Sequence, residues 1–184
     1  ASGIEPESVG LLTACAEQFA IGVADPWHRY LNIAANHPHR LGPDTLGVLK
    51  KADVIVFLES DVPWMDAHGS PPADTFVAQV GVDPLYSAYP IRSHRSDLNI
   101  AATPSAFLAQ LTAALAKRAG SIDAARAERI RPAASAPHDA IAAIRTQETA
   151  PDSEAPISKN TISAVLGDLL EEDDIVFNEY VATP

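Results

Sequence analysis

The sequence predicts a three-layer α/β domain with a central parallel sheet of about five or six strands, helices on both faces, and a C-terminal appendage. The first observation is residues 52–60, where five large apolar residues follow one another, as in a strand buried on both faces. The second is residues 76–84, another apolar stretch, which ends in Asp83 and Pro84. The third is the order of strand and helix patterns along the chain, which favours right-handed β-α-β units.

The segment before the first buried strand predicts a helix, a short strand, a loop and a second helix. Residues 5–19 are expected to be helical because Pro6 suits a first helical turn. Four apolar residues recur there at helical spacing: Val9, Leu12, Ala16 and Phe19. Residues 20–24 predict a short strand, residues 25–42 a long loop, and residues 43–51 a short helix that leads into the first buried strand.

The segment after the second buried strand predicts an irregular connection, an edge strand and a closing helix. The connection covers residues 85–97, and the weak alternation of residues 98–102 suits an edge strand. Thr103 followed by Pro104 is a typical helix start, with an N-cap and a proline at the first helical position. Four residues form the apolar face of the predicted helix: Phe107, Leu108, Leu111 and Leu115.

Composition divides the chain into three segments. Residues 1–117 hold the α/β domain, and residues 118–155 are expected to be a helical stretch followed by a linker rich in alanine and proline. Residues 156–184 predict a helix capped by Ser158, with inward-facing apolar residues, and a strand over residues 175–181. One helix and one strand cannot bury a core alone, so we expect this last segment to begin a further domain.

The net charge of −11 is unevenly distributed. From Glu148 onward there are nine acidic residues and one basic residue, whereas the first 147 residues carry a net charge of −3. No basic face is available for a phosphate backbone, which excludes nucleic-acid binding.

No apolar run reaches the ~18 residues that span a bilayer. With no signal peptide in view, we expect a cytoplasmic protein, and a chain that starts Ala1-Ser2-Gly3 is expected to be a piece of a longer one.

Metal and thiol sites have weak support in the sequence. The single cysteine, Cys15, excludes an internal disulfide and a multi-cysteine metal site, and it lies on the apolar side of the first predicted helix. His28, His37 and His39 suggest a metal site in the loop 25–42. Loop hydrogen bonding is the favoured interpretation, because adjacent histidines around a proline rarely converge on one ion.

A basic cluster in the connection 85–97 suggests an anion site. Arg92, His94 and Arg95 could clamp a phosphate of a nucleotide or of an acyl-CoA. The favoured alternative is a solvated loop, or an ion pair with Asp97 or with another domain. Three aromatic residues are expected to be exposed in loops, where further domains would pack on them: Trp27, Tyr30 and Trp64.

Several short stretches occur in a characteristic order along the chain. They are residues 12–16 with 19–21, Asn36-His37-Pro38, Leu41-Gly42, residues 52–56, Val82-Asp83-Pro84, Tyr89-Pro90-Ile91-Arg92, the helix that ends near Leu115, Pro156-Ile157-Ser158 and residues 173–176. In this order they resemble the Rossmann-like central domain of thiamine-diphosphate-dependent enzymes of the acetolactate synthase type. The resemblance covers residues 1–117, and residues 156–184 resemble the start of the family's diphosphate-binding third domain.

The resemblance implies a parent lyase or transferase that decarboxylates 2-oxo acids and joins the products. In the family, a glutamate of the first domain activates thiamine diphosphate, and a Gly-Asp-Gly…Asn motif of the third domain holds magnesium and the diphosphate. This chain contains no Gly-Asp-Gly. We therefore expect no catalytic residue, thiamine diphosphate or magnesium in this piece. Its expected partners are the N- and C-terminal domains of the parent, in a homodimer or homotetramer.

The resemblance also implies a possible nucleotide site, because some relatives carry FAD or ADP across the strand ends. Asp83 matches the acidic residue that reaches nucleotide hydroxyls, Ser60 and Asp61 end the neighbouring strand, and Arg92 is the candidate phosphate ligand. The chain departs from the pattern at Glu59, where relatives often have glycine.

The nucleotide site implies an alternative function, a free-standing FAD- or ADP-binding module. A protein-interaction domain that uses the aromatic loops and the acidic tail is a third.

Overall fold

The structure is a computed structural model of the 184-residue chain. It describes residues 5–25, 30–41, 45–118, 157–171 and 173–176, together with residues 128, 139, 142, 143, 145 and 146. The chain divides into two compact units, Ala1–Ala134 and Ser135–Pro184. The boundary between them falls within the segment predicted to contain the linker, residues 118–155.

Helix α1 spans Pro6–Phe19 and confirms the helix predicted over residues 5–19. Pro6 lies in its first turn, where the missing N–H costs no hydrogen bond. The helix ends because Ala20 adopts a left-handed conformation (φ 48°), and the N–H of Ala20 still bonds to the carbonyl oxygen of Ala16. The buried side of α1 is formed by five residues: Ser8, Leu12, Cys15, Ala16 and Phe19.

Three parallel strands form an open sheet in the order β1-β2-β3. Strand β1 spans Val54–Leu58, β2 spans Phe76–Gly81 and β3 spans Leu98–Ala101. Strand β2 is central and pairs on both sides, and all its residues except Phe76 are buried. The predicted α/β class is therefore observed as a parallel sheet with helices.

Two strand predictions need correction. The run in β1 is not buried on both faces, because Val54 and Val56 are exposed and β1 lies at the edge of the sheet. Residues 20–24 do not form a strand; Val23 alone makes an isolated parallel bridge, with Arg40.

The described ranges contain three strands in all, fewer than the five or six expected.

One face of the sheet packs against a short helix and a loop. Helix α2 spans Thr45–Leu49, within the helix predicted over residues 43–51, and Leu49 packs with Trp64 and Val77. Trp64 is only 7% exposed, so the expectation that this aromatic residue is exposed is wrong. Its indole N–H donates to Oδ1 of Asp66 at 2.7 Å, which satisfies the one polar group of the buried ring.

Helix α3 spans Pro104–Arg118 and packs against α1 and β2. Oγ1 of Thr103 accepts a hydrogen bond from the N–H of Ala106 at 3.3 Å, which confirms the predicted N-cap. Leu108 is buried on the inner side of this helix. In the described part of the chain, no helix is long and apolar enough to cross a membrane.

The second unit contains helix α4, Lys159–Leu169. Its predicted cap is confirmed, because Oγ of Ser158 accepts from the N–H of Thr161 and the Thr161 side chain returns a bond to the N–H of Ser158. The apolar residues expected to face inward are exposed instead: Ile162, Val165, Leu166, Leu169 and Leu170. Of the strand predicted over residues 175–181, the first two residues lie in neither helix nor strand, and residues 177–181 lie outside the described residues.

Replacing Leu108 by alanine should lower the free energy of unfolding of the first unit by about 2–5 kcal/mol, because it leaves a cavity beneath α3. Leu85→Ala is the matched control, since Leu85 is exposed and its loss should change stability by less than about 0.5 kcal/mol. Urea unfolding followed by tryptophan fluorescence measures both. Equal effects of the two substitutions would contradict the packing described for α3.

Candidate functional site

The predicted site residues lie around the carboxyl ends of β1 and β2, the edge at which parallel α/β sheets bind ligands. Nη2 of Arg92 donates to the carbonyl oxygen of Ser60 at 3.2 Å. The hydroxyl of Tyr89 donates to Oδ2 of Asp61 at 3.4 Å. Asp83 follows β2 but bonds within its own loop. The structure thus connects the loop that carries Arg92 to Ser60 and to Asp61, and leaves Asp83 in a separate hydrogen-bonded turn.

Arg92 is anchored to β2 through the buried side chain of Gln79. Its Nη2 donates to Oε1 of Gln79 at 2.6 Å, and its Nη1 donates to the carbonyl oxygen of Pro84 at 3.4 Å. Its guanidinium also lies 4.5 Å from the centre of the Tyr86 ring, which is a cation–π distance. Gln79 is only 2% exposed. Arg92 therefore supplies the charge-assisted hydrogen bond that the buried amide requires.

Two donors of this pair have no partner. Nε of Arg92 and Nε2 of Gln79 are both buried and lack a hydrogen bond. Each belongs to the same planar group as an atom of the 2.6 Å contact, so covalent geometry brings both donors near the junction of the two side chains. Unpaired buried donors cost free energy and occur at places where a ligand or water can bind.

Glu59 follows β1 in a strained conformation, with φ 46°. This left-handed region suits glycine and is uncommon for other residues. Oε1 of Glu59 accepts from the N–H of Val82 at 2.6 Å. A Cβ at Gly81 would lie 2.9 Å from the same oxygen, so the carboxylate fills the space that glycine leaves. Sequence reasoning marked Glu59 only as a departure from glycine and missed its bond to Val82.

Asp83 organises the loop that follows β2. Its Oδ2 accepts from the N–H and the hydroxyl of Ser87, at 2.7 and 2.8 Å. The hydroxyl bond to Ser87, followed by its backbone N–H, holds the pKa of the Asp83 carboxyl below its ordinary value of 3.8. One oxygen of the Asp83 carboxylate, Oδ2, thus already accepts from two donors.

Tyr86 carries the largest pKa shift at this edge. Burial, followed by the negative charges of Glu59 and Asp61, raises the pKa of Tyr86 to about 12, and the charge of Arg92 opposes the rise. The phenol is therefore protonated at neutral pH and acts as a neutral aromatic face beneath the guanidinium.

The other basic residues of this connection do not join Arg92 in an anion clamp. Nε2 of His94 donates to the carbonyl oxygen of Trp64 at 2.8 Å. The guanidinium of Arg95 donates to three carbonyl oxygens of the loop before β2, those of Pro72, Ala73 and Thr75. Arg95 also lies 3.9 Å from Oδ2 of Asp97, the ion pair expected as an alternative. Each cation is thus engaged separately.

The histidines of the first loop form hydrogen bonds. Nδ1 of His37 accepts from the N–H of His39 at 3.1 Å, and Nε2 of His37 lies 3.2 Å from Oε1 of Glu17. Burial, followed by the charge of His37, lowers the pKa of His39. His28 and Trp27 lie outside the described residues. Within the described ranges, no group of three or more His, Cys, Asp or Glu residues could hold a metal ion.

Comparison of the chain with protein-family models, with curated proteins and with solved structures finds no match.

Arg92→Ala should lower the free energy of unfolding by about 1–3 kcal/mol, because it leaves the amide oxygen of buried Gln79 without its donor. Lys51→Ala, which removes an exposed cation, should change it by less than about 0.5 kcal/mol. Urea unfolding of both variants gives the comparison. If Arg92→Ala is as stable as the unsubstituted chain, the Arg92–Gln79 contact does not hold this edge together.

The carboxyl of Asp83 should titrate below 3.8 in the folded chain, and Ser87→Ala should move its pKa upward because the hydroxyl bond is lost. The retained backbone N–H of Ser87 should keep the value below 3.8 in the variant. Since the folded pKa is depressed, the stabilisation is present above the unfolded pKa and is lost as pH falls through the folded value.

NMR of the carboxyl carbon measures this titration. Ser96→Ala is the control, because its hydroxyl bonds to the carbonyl oxygen of Leu98 and not to Asp83. An Asp83 pKa that is the same in the unsubstituted chain and in Ser87→Ala would rule out the hydroxyl bond as the cause of the lowered pKa.

Proposed function

We propose that this chain is the central domain of a thiamine-diphosphate-dependent enzyme of the acetolactate synthase type, joined to the start of the family's third domain. In this role it is a structural element that holds two cofactor-binding domains apart and in register. The decarboxylation and carboligation of 2-oxo acids belong to residues of those other domains. The proposal includes a cytoplasmic location and assembly of the parent as a homodimer or homotetramer.

The course of the chain through the sheet is the observation that carries the proposal. The strands are parallel and follow the order β1-β2-β3, and α3 begins directly after β3. The Val82-Asp83-Pro84 stretch, on which the resemblance depends, follows the central strand. Chain order, strand direction and the position of this stretch all agree with the expected domain.

The backbone at Glu59 also supports the proposal. Its φ of 46° belongs to the region that glycine occupies without strain, and relatives in the proposed family often have glycine at this position. A strained non-glycine residue here is what a substitution of the family's glycine would produce if the backbone course were kept.

The larger sheet of five or six strands belongs to the same proposal. Both β1 and β3 are edges of the three-stranded sheet, and further strands could pair with either of them. Four exposed apolar side chains support burial against additional structure: Val54, Val56, Phe76 and Leu98.

Bound FAD or ADP is a poor fit to this edge. The carboxylate of Glu59 occupies the Val82 N–H and the space above Gly81, and Oδ2 of Asp83 already accepts two bonds from Ser87. These contacts favour the structural role over the nucleotide-binding module. Thiamine diphosphate and magnesium would be held by the other domains of the parent.

The test is thiamine diphosphate binding by two proteins, this 184-residue chain and the product of the complete reading frame that contains it. Isothermal titration in the presence of Mg²⁺ should show binding only for the longer protein, which should also release CO₂ from pyruvate or a related 2-oxo acid. Binding by the 184-residue chain alone, or its absence from the longer protein, would refute the proposal.

A further inference from the structure

We propose that Glu59 closes an anion site at the carboxyl end of β2, a site that Arg92, Gln79 and the N–H of Val82 would otherwise offer to a phosphate group. The inference goes beyond the proposed function, because it concerns what this edge excludes and does not depend on the identity of the parent enzyme. Glu59 is then the residue that keeps a phosphate group from binding at this edge.

The groups involved lie on one face of the sheet. Gln79 and Gly81 are two residues apart in β2, so their side-chain positions share a face. The carboxylate of Glu59 lies over Gly81 on that face, with Oε1 2.9 Å from the position of a Cβ. Arg92 reaches the same face through its 2.6 Å bond to Gln79. Guanidinium, amide and carboxylate are therefore consecutive along the end of one strand.

The donors on this face exceed the acceptors that the chain supplies. Nε of Arg92 and Nε2 of Gln79 are buried and have no hydrogen-bond partner. Only 2% of Gln79 is exposed, so water does not supply these partners from the surface. A guanidinium edge, an amide N–H and a backbone N–H form a typical donor set for phosphate oxygens. Among these donors, Glu59 bonds the N–H of Val82 and so supplies the anionic oxygen that a ligand would bring.

Glu59 blocks a ligand in two ways. Its oxygen fills the space that the missing side chain of Gly81 leaves open, and its negative charge repels an incoming phosphate. Gly81 cannot be replaced without displacing this carboxylate, whereas Glu59 is replaced easily, because its backbone conformation suits glycine. Glu59→Gly should therefore fold and open the site.

The test is calorimetric titration of the full chain with inorganic pyrophosphate and, separately, with ADP, at low ionic strength so that screening is weak. Glu59→Gly removes both the charge and the side chain. Glu59→Gln keeps the length and the acceptor but removes the charge, and it serves if the glycine variant does not fold. Asp53→Asn is the matched control, because it removes an exposed carboxylate at the amino end of β1, the end opposite to Gly81. Circular dichroism establishes that each variant is folded.

The unsubstituted chain and Asp53→Asn should bind neither probe measurably. Glu59→Gly should bind pyrophosphate with an affinity at least about tenfold above the detection limit that the unsubstituted chain does not reach. Glu59→Gln should show a smaller gain. Adding Arg92→Ala to Glu59→Gly should abolish the gain. Binding of both probes supports the phosphate site, and binding of pyrophosphate alone supports it while showing that the nucleoside does not fit there.

Three results would overturn the inference. They are binding by the unsubstituted chain as tight as by Glu59→Gly, an equal gain in Asp53→Asn, and no gain in the folded Glu59 variants. Each is independent of the thiamine diphosphate titration, so failure of this inference and failure of the proposed function can be told apart.

Discussion

The buried amide of Gln79 is the constraint on which the carboxyl edge depends. A polar group in the middle of the central strand is costly unless a partner reaches it, by about 1–3 kcal/mol for one unsatisfied group. Arg92 is that partner, at 2.6 Å, and reaching Gln79 requires the connection between β2 and β3 to fold back over the sheet. The same guanidinium then fixes the carbonyl oxygens of Ser60 and Pro84. The Arg92 side chain thereby joins the loop after β1, strand β2 and the connection between β2 and β3.

The acidic groups at this edge bind the chain itself. Glu59 accepts from Val82, Asp83 from Ser87 and Asp61 from Tyr89. A ligand would have to displace these bonds and approach three carboxylates with one guanidinium among them. These internal bonds hold the loops of this edge in place without a ligand. The unpaired donors of Gln79 and Arg92 indicate where a binding surface would open if Glu59 were absent.

Patterns within single elements were predictable, and relations between elements were not. Pro6, Thr103 and Ser158 mark their helix starts correctly, because capping is local chemistry. The apolar run of β1 predicts a strand but not its neighbours, so its place at the edge was missed. The role of Glu59 depends on a glycine 22 positions later in the sequence, across a strand pair, and no spacing rule connects the two.

A crystal structure of the chain grown with pyrophosphate tests the closed edge most directly. The account predicts that Oε1 of Glu59 lies within hydrogen-bond distance of the Val82 N–H, that Arg92 bonds to Gln79, and that no pyrophosphate lies above Gly81. Pyrophosphate bonded to the Val82 N–H, with the Glu59 side chain turned to solvent, would contradict it.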